Sequence, residues 1–318
     1  MTEKISLKKR KTTTAALGLL VFFFLLLLLK NPSVATESVK NSLVLCAHAL
    51  LPALFPFMVL SELLIACGFG DFFGKHFGRP VATLFGLSRE SSAAVLLGFL
   101  CGFPVGARMA LSLYDKGRIP KSECERLLGF SGLPSIAFLV SAVGVSLYES
   151  RRFGILLWVS CMLSTIVVGI ITRKKGASVS DAHLSFVPPP LARTFTLAIT
   201  NATAAMLSIC AYVLFFDTVL GCLSHTLTAF PLPSAIRTLL YGFSEISSGV
   251  TSAASLESRP LSVLLCALSV GWSGLSIHCQ LLTLCDGRGL SYRFYFRAKL
   301  AQAIFCAFFV TIFAPFCF

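Results

Sequence analysis

Five ionisable residues fall inside or beside long apolar segments of this 318-residue chain. They are Glu62, Arg108, Asp217, Glu245 and His278. A charge at the centre of a bilayer costs a few kcal/mol even on lenient insertion scales, so such side chains face protein or water rather than lipid. Each of the five is therefore a candidate for binding a polar solute or an ion, or for an interior structural contact.

Arg108 follows a break in an apolar stretch. Gly102, Pro104 and Gly106 interrupt the sequence just before it. Such a break frees backbone N–H and C=O groups, and a helix N-terminus that starts after it adds positive potential for an anion. We therefore predict that Arg108 binds an anionic group of a solute. The alternative is an arginine whose charge extends to the cytoplasmic interface from a short hairpin arm.

Glu245 lies in a second break, where Ser247 and Ser248 follow it closely. A carboxylate beside hydroxyl groups can bind a proton, a cation or a donor group of a solute. It can equally accept hydrogen bonds from the backbone N–H groups of a hairpin tip. The sequence leaves both interpretations open.

A Ser-Gly-Leu motif occurs once in each half of the chain, and further polar candidates lie in or just after it. These are Ser131, Ser135, Ser273, Ser276, His278 and Gln280. Glycine beside small hydroxyl residues permits either local unwinding, which would expose a binding site, or close helix packing. No metal site is predicted, because His278 and Cys279 have no second His or Cys at ligand spacing. No cofactor is predicted, although a coupling H⁺ or Na⁺ is compatible with the sequence.

The elements that carry these residues are predicted to be transmembrane helices. Hydrophobic residues make up 56% of the chain and charged residues 13%, and the apolar residues come in runs of about 20, the length that crosses a bilayer. The predicted spans are 14–29, 43–67, 127–148, 153–172, 195–223, 261–284 and 300–317. The stretches 91–114 and 234–256 are broken in the middle into two short arms, which is typical of re-entrant hairpins.

The basic residues predict a topology. The first apolar run follows a cluster of five basic residues and lacks a small-residue cleavage site, so it is predicted to be an uncleaved signal-anchor helix. If each broken stretch enters and leaves on one side, most of the basic residues between the apolar stretches lie on the cytoplasmic side, as the positive-inside rule requires. The net charge of +13 is thereby explained without a nucleic-acid partner.

The two halves resemble each other in sequence. GFSGLPSI at 129–136 corresponds to GWSGLSI at 271–277, and each follows a broken stretch. Because the predicted topology gives the halves opposite orientations, we predict an inverted-topology repeat, which secondary transporters use to place a substrate site near the midplane. The predicted units are a signal-anchor helix at 1–30, a first repeat at 38–175 and a second repeat at 191–318.

The sequence resembles the YlbJ-type sporulation integral membrane proteins, part of the nucleoside-recognition or Gate-domain group related to concentrative nucleoside transporters. The stretches that carry the resemblance are LFPFMVLS at 54–61, GFPVGAR at 102–108, EISSG at 245–249 and GLSIHCQ at 274–280. The resemblance implies a multi-pass protein of the bacterial inner membrane or a forespore membrane in spore-forming Firmicutes. It also implies a role in sporulation, and relatives have been linked to passage of dipicolinate, a small aromatic dicarboxylate.

Together these features predict an all-α polytopic membrane protein with an inverted repeat and two re-entrant helical hairpins. We predict a secondary transporter or permease for a small anionic solute, dipicolinate-like or nucleoside-like, whose partners are the lipid bilayer, the solute and a second copy of the chain. Its site is expected where the tips 102–108 and 245–249 approach each other. The alternative is a non-transporting scaffold or assembly factor for sporulation. An enzyme is not predicted, since no nucleotide-binding loop, nucleophile elbow or H-E-x-x-H pattern occurs.

Overall fold

The computed structural model describes residues 2–103, 105–174, 190–226 and 232–316, and in these ranges the chain forms helices and no strands. The α-helices are α1 (Thr2–Lys30), α2 (Pro32–Leu45), α3 (Leu51–Ala66), α4 (Phe69–Phe85), α5 (Arg89–Cys101), α6 (Val105–Asp115), α7 (Lys121–Phe130), α8 (Arg151–Ile171), α9 (Leu191–Thr226), α10 (Ser234–Ser244), α11 (Ile246–Ala254), α12 (Arg259–Trp272), α13 (Gly274–Leu284) and α14 (Arg293–Phe313). Two π-helical segments, Cys46–Leu50 and Ala137–Leu147, join or follow them.

The predicted class, an all-α polytopic membrane protein, is confirmed. Five described helical segments are long and apolar enough to cross a bilayer: Pro32–Ala66, Arg151–Ile171, Ala192–Thr226, Arg259–Leu284 and Arg293–Phe313. A sixth span results if α4 and α5, which meet at 94°, are counted as one broken crossing. Large apolar side chains remain exposed on the outer helix faces, as expected of surfaces in contact with lipid tails.

Two predicted stretches differ from the structure. The span 127–148 was predicted as one continuous helix, but α7 ends at Phe130 and helix resumes only after residues 131–135. Pro134 accounts for this break, because proline lacks the N–H that an α-helix needs there. Helix α4 lies between the predicted span 43–67 and the broken stretch 91–114, in a part of the chain that was predicted as a connection on the cytoplasmic side.

Helix α7 holds the corner between α4 and α5. The Arg126 guanidinium donates to the backbone carbonyls of Phe85 and Gly86, at 2.7 and 3.0 Å, and so satisfies the C-terminus of α4. The Glu123 carboxylate accepts from the backbone N–H and hydroxyl of Ser88, both at 2.7 Å, at the N-cap of α5. The polar side chains of α7 therefore fix the direction in which the first hairpin leaves this corner.

The two broken stretches form helix pairs, α5 with α6 and α10 with α11. In the first pair α5 is followed by Gly102, whose φ of +75° suits glycine. In the second pair Glu245 is an extended residue between the helices, with φ −146°. A further break separates α12 from α13 at Ser273, which has φ +76°, a conformation that is uncommon outside glycine. The membrane side on which each pair opens, and the three predicted units, stay predictions.

Candidate functional site

A cavity of about 80 Å³ lies between the two halves of the chain. Its lining comes from α3, α9, both helix pairs and the segments that follow them. Of the predicted site residues, it brings together Ser135, Glu245, Ser247, Ser276 and Gln280. The sequence motifs of the two halves therefore meet at one place, although they lie more than a hundred positions apart.

Glu245 stabilises the second tip by hydrogen bonds within the tip itself. Its Oε2 accepts from the backbone N–H of Ser248 at 2.8 Å and from the Ser248 hydroxyl at 3.2 Å, as the N-cap of α11. A carboxylate is favourable here because the N-terminus of a helix carries unpaired N–H groups and positive potential. Glu245 is only 2% exposed, so it both stabilises the tip and lines the cavity.

Each tip packs against the Ser-Gly-Leu region of its own half. In the first half Phe103 donates its backbone N–H to the carbonyl of Leu133 at 2.8 Å, and a Cβ on Gly102 would lie 2.6 Å from the backbone N of Ser135. In the second half a Cβ on Gly274 would lie 2.9 Å from the backbone N of Ile246. Only glycine fits contacts this close, which explains Gly102 in the first tip and Gly274 in the second Ser-Gly-Leu motif.

Arg108 is paired inside the protein. Its Nη1 lies 2.9 Å from Oε1 of Glu62, which lines the cavity from α3. The other carboxylate oxygen of Glu62 accepts from the amide of Asn201 at 3.2 Å. The sequence singled out Glu62 and Arg108 separately and contained no signal that would join them, since the two residues lie on different helices.

The other predicted residues surround the cavity without lining it. Gly106 lies against Gly98 where α5 and α6 cross. The hydroxyl groups of Ser131 and Ser273 donate to backbone carbonyls of their own helices. This agrees with the interpretation in which these serines serve helix packing rather than solute binding. Pro104 lies outside the described residues.

His278 belongs to an aromatic cluster behind the second tip. It is 1% exposed, and its Nδ1 lies 2.6 Å from the hydroxyl oxygen of Tyr295. The rings of Trp272 and Phe296 approach it edge-on, and the Trp272 indole N–H donates to the carbonyl of Phe243 at 3.0 Å. The structure therefore gives His278 a supporting place behind the tip rather than a place in the cavity wall.

Two residues of α14 were missed as site residues. Lys299, which the topology had assigned to a cytoplasmic segment, is only 2% exposed, and its Nζ donates to the carbonyl of Gly132. One turn further on, the Gln302 amide lies 3.3 Å from the carbonyl of Phe130. These donors satisfy carbonyls left unpaired at the C-terminus of α7. The only sequence signal was the position of Lys299 at the edge of an apolar run.

The architecture is that of a multi-pass α-helical membrane protein in which breaks from both halves line one cavity. The chain is 26% identical over 323 residues to the sporulation integral membrane protein YlbJ of Bacillus subtilis (strain 168), a match that covers 89% of this chain and 78% of that protein. The chain is thus similar to a YlbJ-type sporulation integral membrane protein, which supports the resemblance predicted from its motifs, and its multi-pass membrane localisation is confirmed. No family model and no solved structure matches it. The relation to nucleoside-recognition proteins stays a prediction.

Proposed function

We propose that this protein is a secondary transporter or permease for a small anionic solute, dipicolinate-like or nucleoside-like, that acts in sporulation. One observation carries the proposal: Phe103 and Ser135 from the first half and Glu245 and Ser276 from the second half line the same cavity. Irregular backbone at membrane depth is tolerated where it lines a cavity. A site between two repeats can be opened to either side by moving one repeat against the other.

The cavity supplies polar groups suited to a compact solute. The hydroxyl groups of Ser135, Ser247 and Ser276 and the amide of Gln280 provide both donors and acceptors. A volume of about 80 Å³ holds several water molecules or the polar end of a solute, since one water needs roughly 10–15 Å³ on this scale. A whole aromatic dicarboxylate enters only when the two tips move apart, which is the movement that alternating access requires.

An anionic solute is accommodated through Arg108. The cavity lining contributes two carboxylates, Glu62 and Glu245, so a further negative charge needs a cation that can change partners. Arg108 is such a cation, because its planar guanidinium can bind a solute carboxylate in place of Glu62. The side chain of Arg108 is 37% exposed, which leaves it room to make this exchange.

Uptake into liposomes by the purified protein tests the proposal. Wild-type protein should accumulate labelled dipicolinate or a labelled nucleoside, and Ser276→Ala should reduce uptake because it removes a polar group from the cavity wall. Glu257→Gln changes an exposed carboxylate outside the cavity and should leave uptake unchanged. Wild-type protein that inserts normally and takes up neither solute would contradict the proposal and would favour a scaffold.

A further inference from the structure

Lys299 is a buried cation beside the break of the first half. It lies on α14 with 2% of its surface exposed, and it donates to the carbonyl of Gly132. Within the described ranges, none of the ion pairs includes Lys299. Its charge is therefore balanced mainly by backbone carbonyl dipoles at the C-terminal end of α7. Burial of a charge without a carboxylate partner is costly, which indicates that the position has a use.

The carbonyls around Lys299 belong to the segment that adjoins the cavity. Gly132 lies in the unwound segment 131–135, and the next residue, Leu133, accepts the backbone N–H of Phe103 from the first tip. Ser135 at the end of this segment lines the cavity. The ammonium of Lys299 thus holds the same segment that bonds to the first tip.

In transporters with broken helices, unwound carbonyls of this kind coordinate the coupling Na⁺. The residues around Gly132 do not fit such an ion, because a second cation would lie close to the Lys299 ammonium in a medium of low dielectric constant, where like charges repel strongly. In the part of the chain that the structure describes, no three His, Cys, Asp or Glu side chains are grouped as metal ligands either.

We propose that the Lys299 ammonium is a built-in cation that holds the unwound segment 131–135 in place of a coupling Na⁺. The unwound segment of the first half is then stable without a bound sodium ion. A coupling ion exists only in a transporter, so this part of the inference rests on the proposed function. The role of Lys299 in holding the segment does not depend on transport, because it is a property of the folded chain. A thermal-stability measurement therefore tests it without any transported solute.

Two substitutions at one position separate charge from volume. Lys299→Ala removes the ammonium and leaves space beside the Gly132 carbonyl, whereas Lys299→Met removes the charge and fills that space. The apparent Tm of detergent-purified protein is compared in equal concentrations of NaCl, KCl and choline chloride. Wild-type protein should have the same Tm in all three salts. The alanine variant should melt lower in KCl and choline chloride and recover several degrees in NaCl, and the methionine variant should melt lower in all three.

Lys40→Ala is the matched control, since Lys40 is an exposed lysine on α2, and this variant should have the same Tm as wild type in each salt.

Two results would overturn the proposal: wild-type protein that is stabilised by Na⁺ over K⁺, or a Lys299→Ala variant that is equally unstable in every salt. Sodium rescue of the methionine variant would also count against it, because the ion would then act elsewhere. If the alanine variant is recovered in folded form only when purified in Na⁺, the proposal is supported, and failure to recover it in any of the three salts contradicts the proposal. Absence of solute uptake by wild type would refute the transport function and leave this comparison unaffected.

Discussion

The two helical hairpins share one crossing and differ in how their tips are closed. In the α5–α6 pair a Cβ on Gly106 would lie 2.8 Å from the Cα of Gly98, and in the α10–α11 pair a Cβ on Gly249 would lie 2.8 Å from the backbone N of Gly242. Both pairs therefore cross backbone to backbone at glycines. The two halves therefore share this kind of crossing, while the inverted repeat itself stays a prediction.

The tips, in contrast, depend on different parts of the chain. The second tip is closed locally, since Glu245 bonds to Ser248 three residues later. The first tip relies on distant partners: Arg108 pairs with Glu62 on α3, and the segment against which the tip packs is held by Lys299 on α14. The cap of the second tip should therefore be lost through the tip's own residues, whereas the first tip can also be weakened through helices far away in sequence.

The largest effect is expected at the shared glycine crossings. Gly106→Val and Gly249→Val should both prevent the hairpins from closing, because the nearest atoms are backbone and cannot move cheaply. Overpacking of this kind typically costs about 1–3 kcal/mol, and more where backbone must shift. The yield of monodisperse protein in detergent and its apparent Tm measure the loss. Gly74→Val is the control, since a Cβ at Gly74 meets nothing within 4 Å, and equal stability of the three variants would contradict a common crossing.

The second tip should respond to loss of its own cap. Glu245→Ala should lower stability by about 1–2 kcal/mol, the usual effect of removing an N-cap side chain, and it should also reduce solute uptake. Ser248→Ala should be milder, because it removes a hydroxyl donor and keeps the backbone N–H that lies 2.8 Å from Glu245. The apparent Tm of the two variants gives the order. A Ser248→Ala variant that is less stable than Glu245→Ala would show that the cap is not what closes this tip.

The first tip should show a smaller effect on stability and a clear effect on uptake. The Glu62–Arg108 pair is partly exposed, with side-chain exposures of 18% and 37%, and pairs of this kind contribute only about 0.2–1 kcal/mol. Glu62→Gln should lower the KM for a carboxylate solute, because Arg108 loses its internal partner. Arg108→Lys should raise the KM, because lysine lacks the planar fork that binds a carboxylate.

These two KM changes also decide between the interpretations of Arg108. An arginine that only extends to the membrane interface should accept lysine with no change in KM. A change in the same direction for both variants would contradict an exchange of Glu62 for solute. The amount of protein inserted in the liposomes is the internal control, since neither substitution should alter it strongly.

The contrast between the tips also explains which features could be predicted from sequence. The broken pairs were found because glycine interrupts apolar runs locally, and the Glu245 cap was among the interpretations because its partner lies three residues away. The contacts of Arg108 and Lys299 join positions 46 and 167 residues apart, and spacing along the chain carries no signal for such pairs. Lys299 was assigned to a cytoplasmic segment because a charge-topology rule treats each basic residue beside an apolar run as a flank.

The continuity of 127–148 was predicted wrongly for a related reason. Hydropathy registers only that a segment is apolar, and the segment is apolar on both sides of its break. The proline at 134 was the local signal, but a single proline is also found in kinked, continuous transmembrane helices. The carbonyls that it frees are stable only because donors on α14 reach them, and those donors follow more than 160 residues later.

The smallest effect is expected where the first hairpin meets the second half outside the membrane-spanning segments. Asp115, at the end of α6, accepts from Nε and Nη2 of Arg288, each at 2.8 Å. These hydrogen bonds lower the pKa of the Asp115 carboxyl. A lowered folded-state pKa means that the pair stabilises the protein above the ordinary Asp value of about 3.9 and that this contribution is lost as the pH falls through the lower folded-state pKa.

Asp115→Asn should therefore lower the apparent Tm slightly at neutral pH, and the difference from wild type should shrink as the pH falls below about 4. Both side chains are substantially exposed, at 44% and 33%, so the difference should also shrink in high salt, where exposed charges are screened. Asp286→Asn changes a neighbouring exposed carboxylate of the same loop and serves as the control. A difference in Tm that is as large at low pH and high salt as at neutral pH and low salt would show that Asp115 acts through packing rather than through its charge.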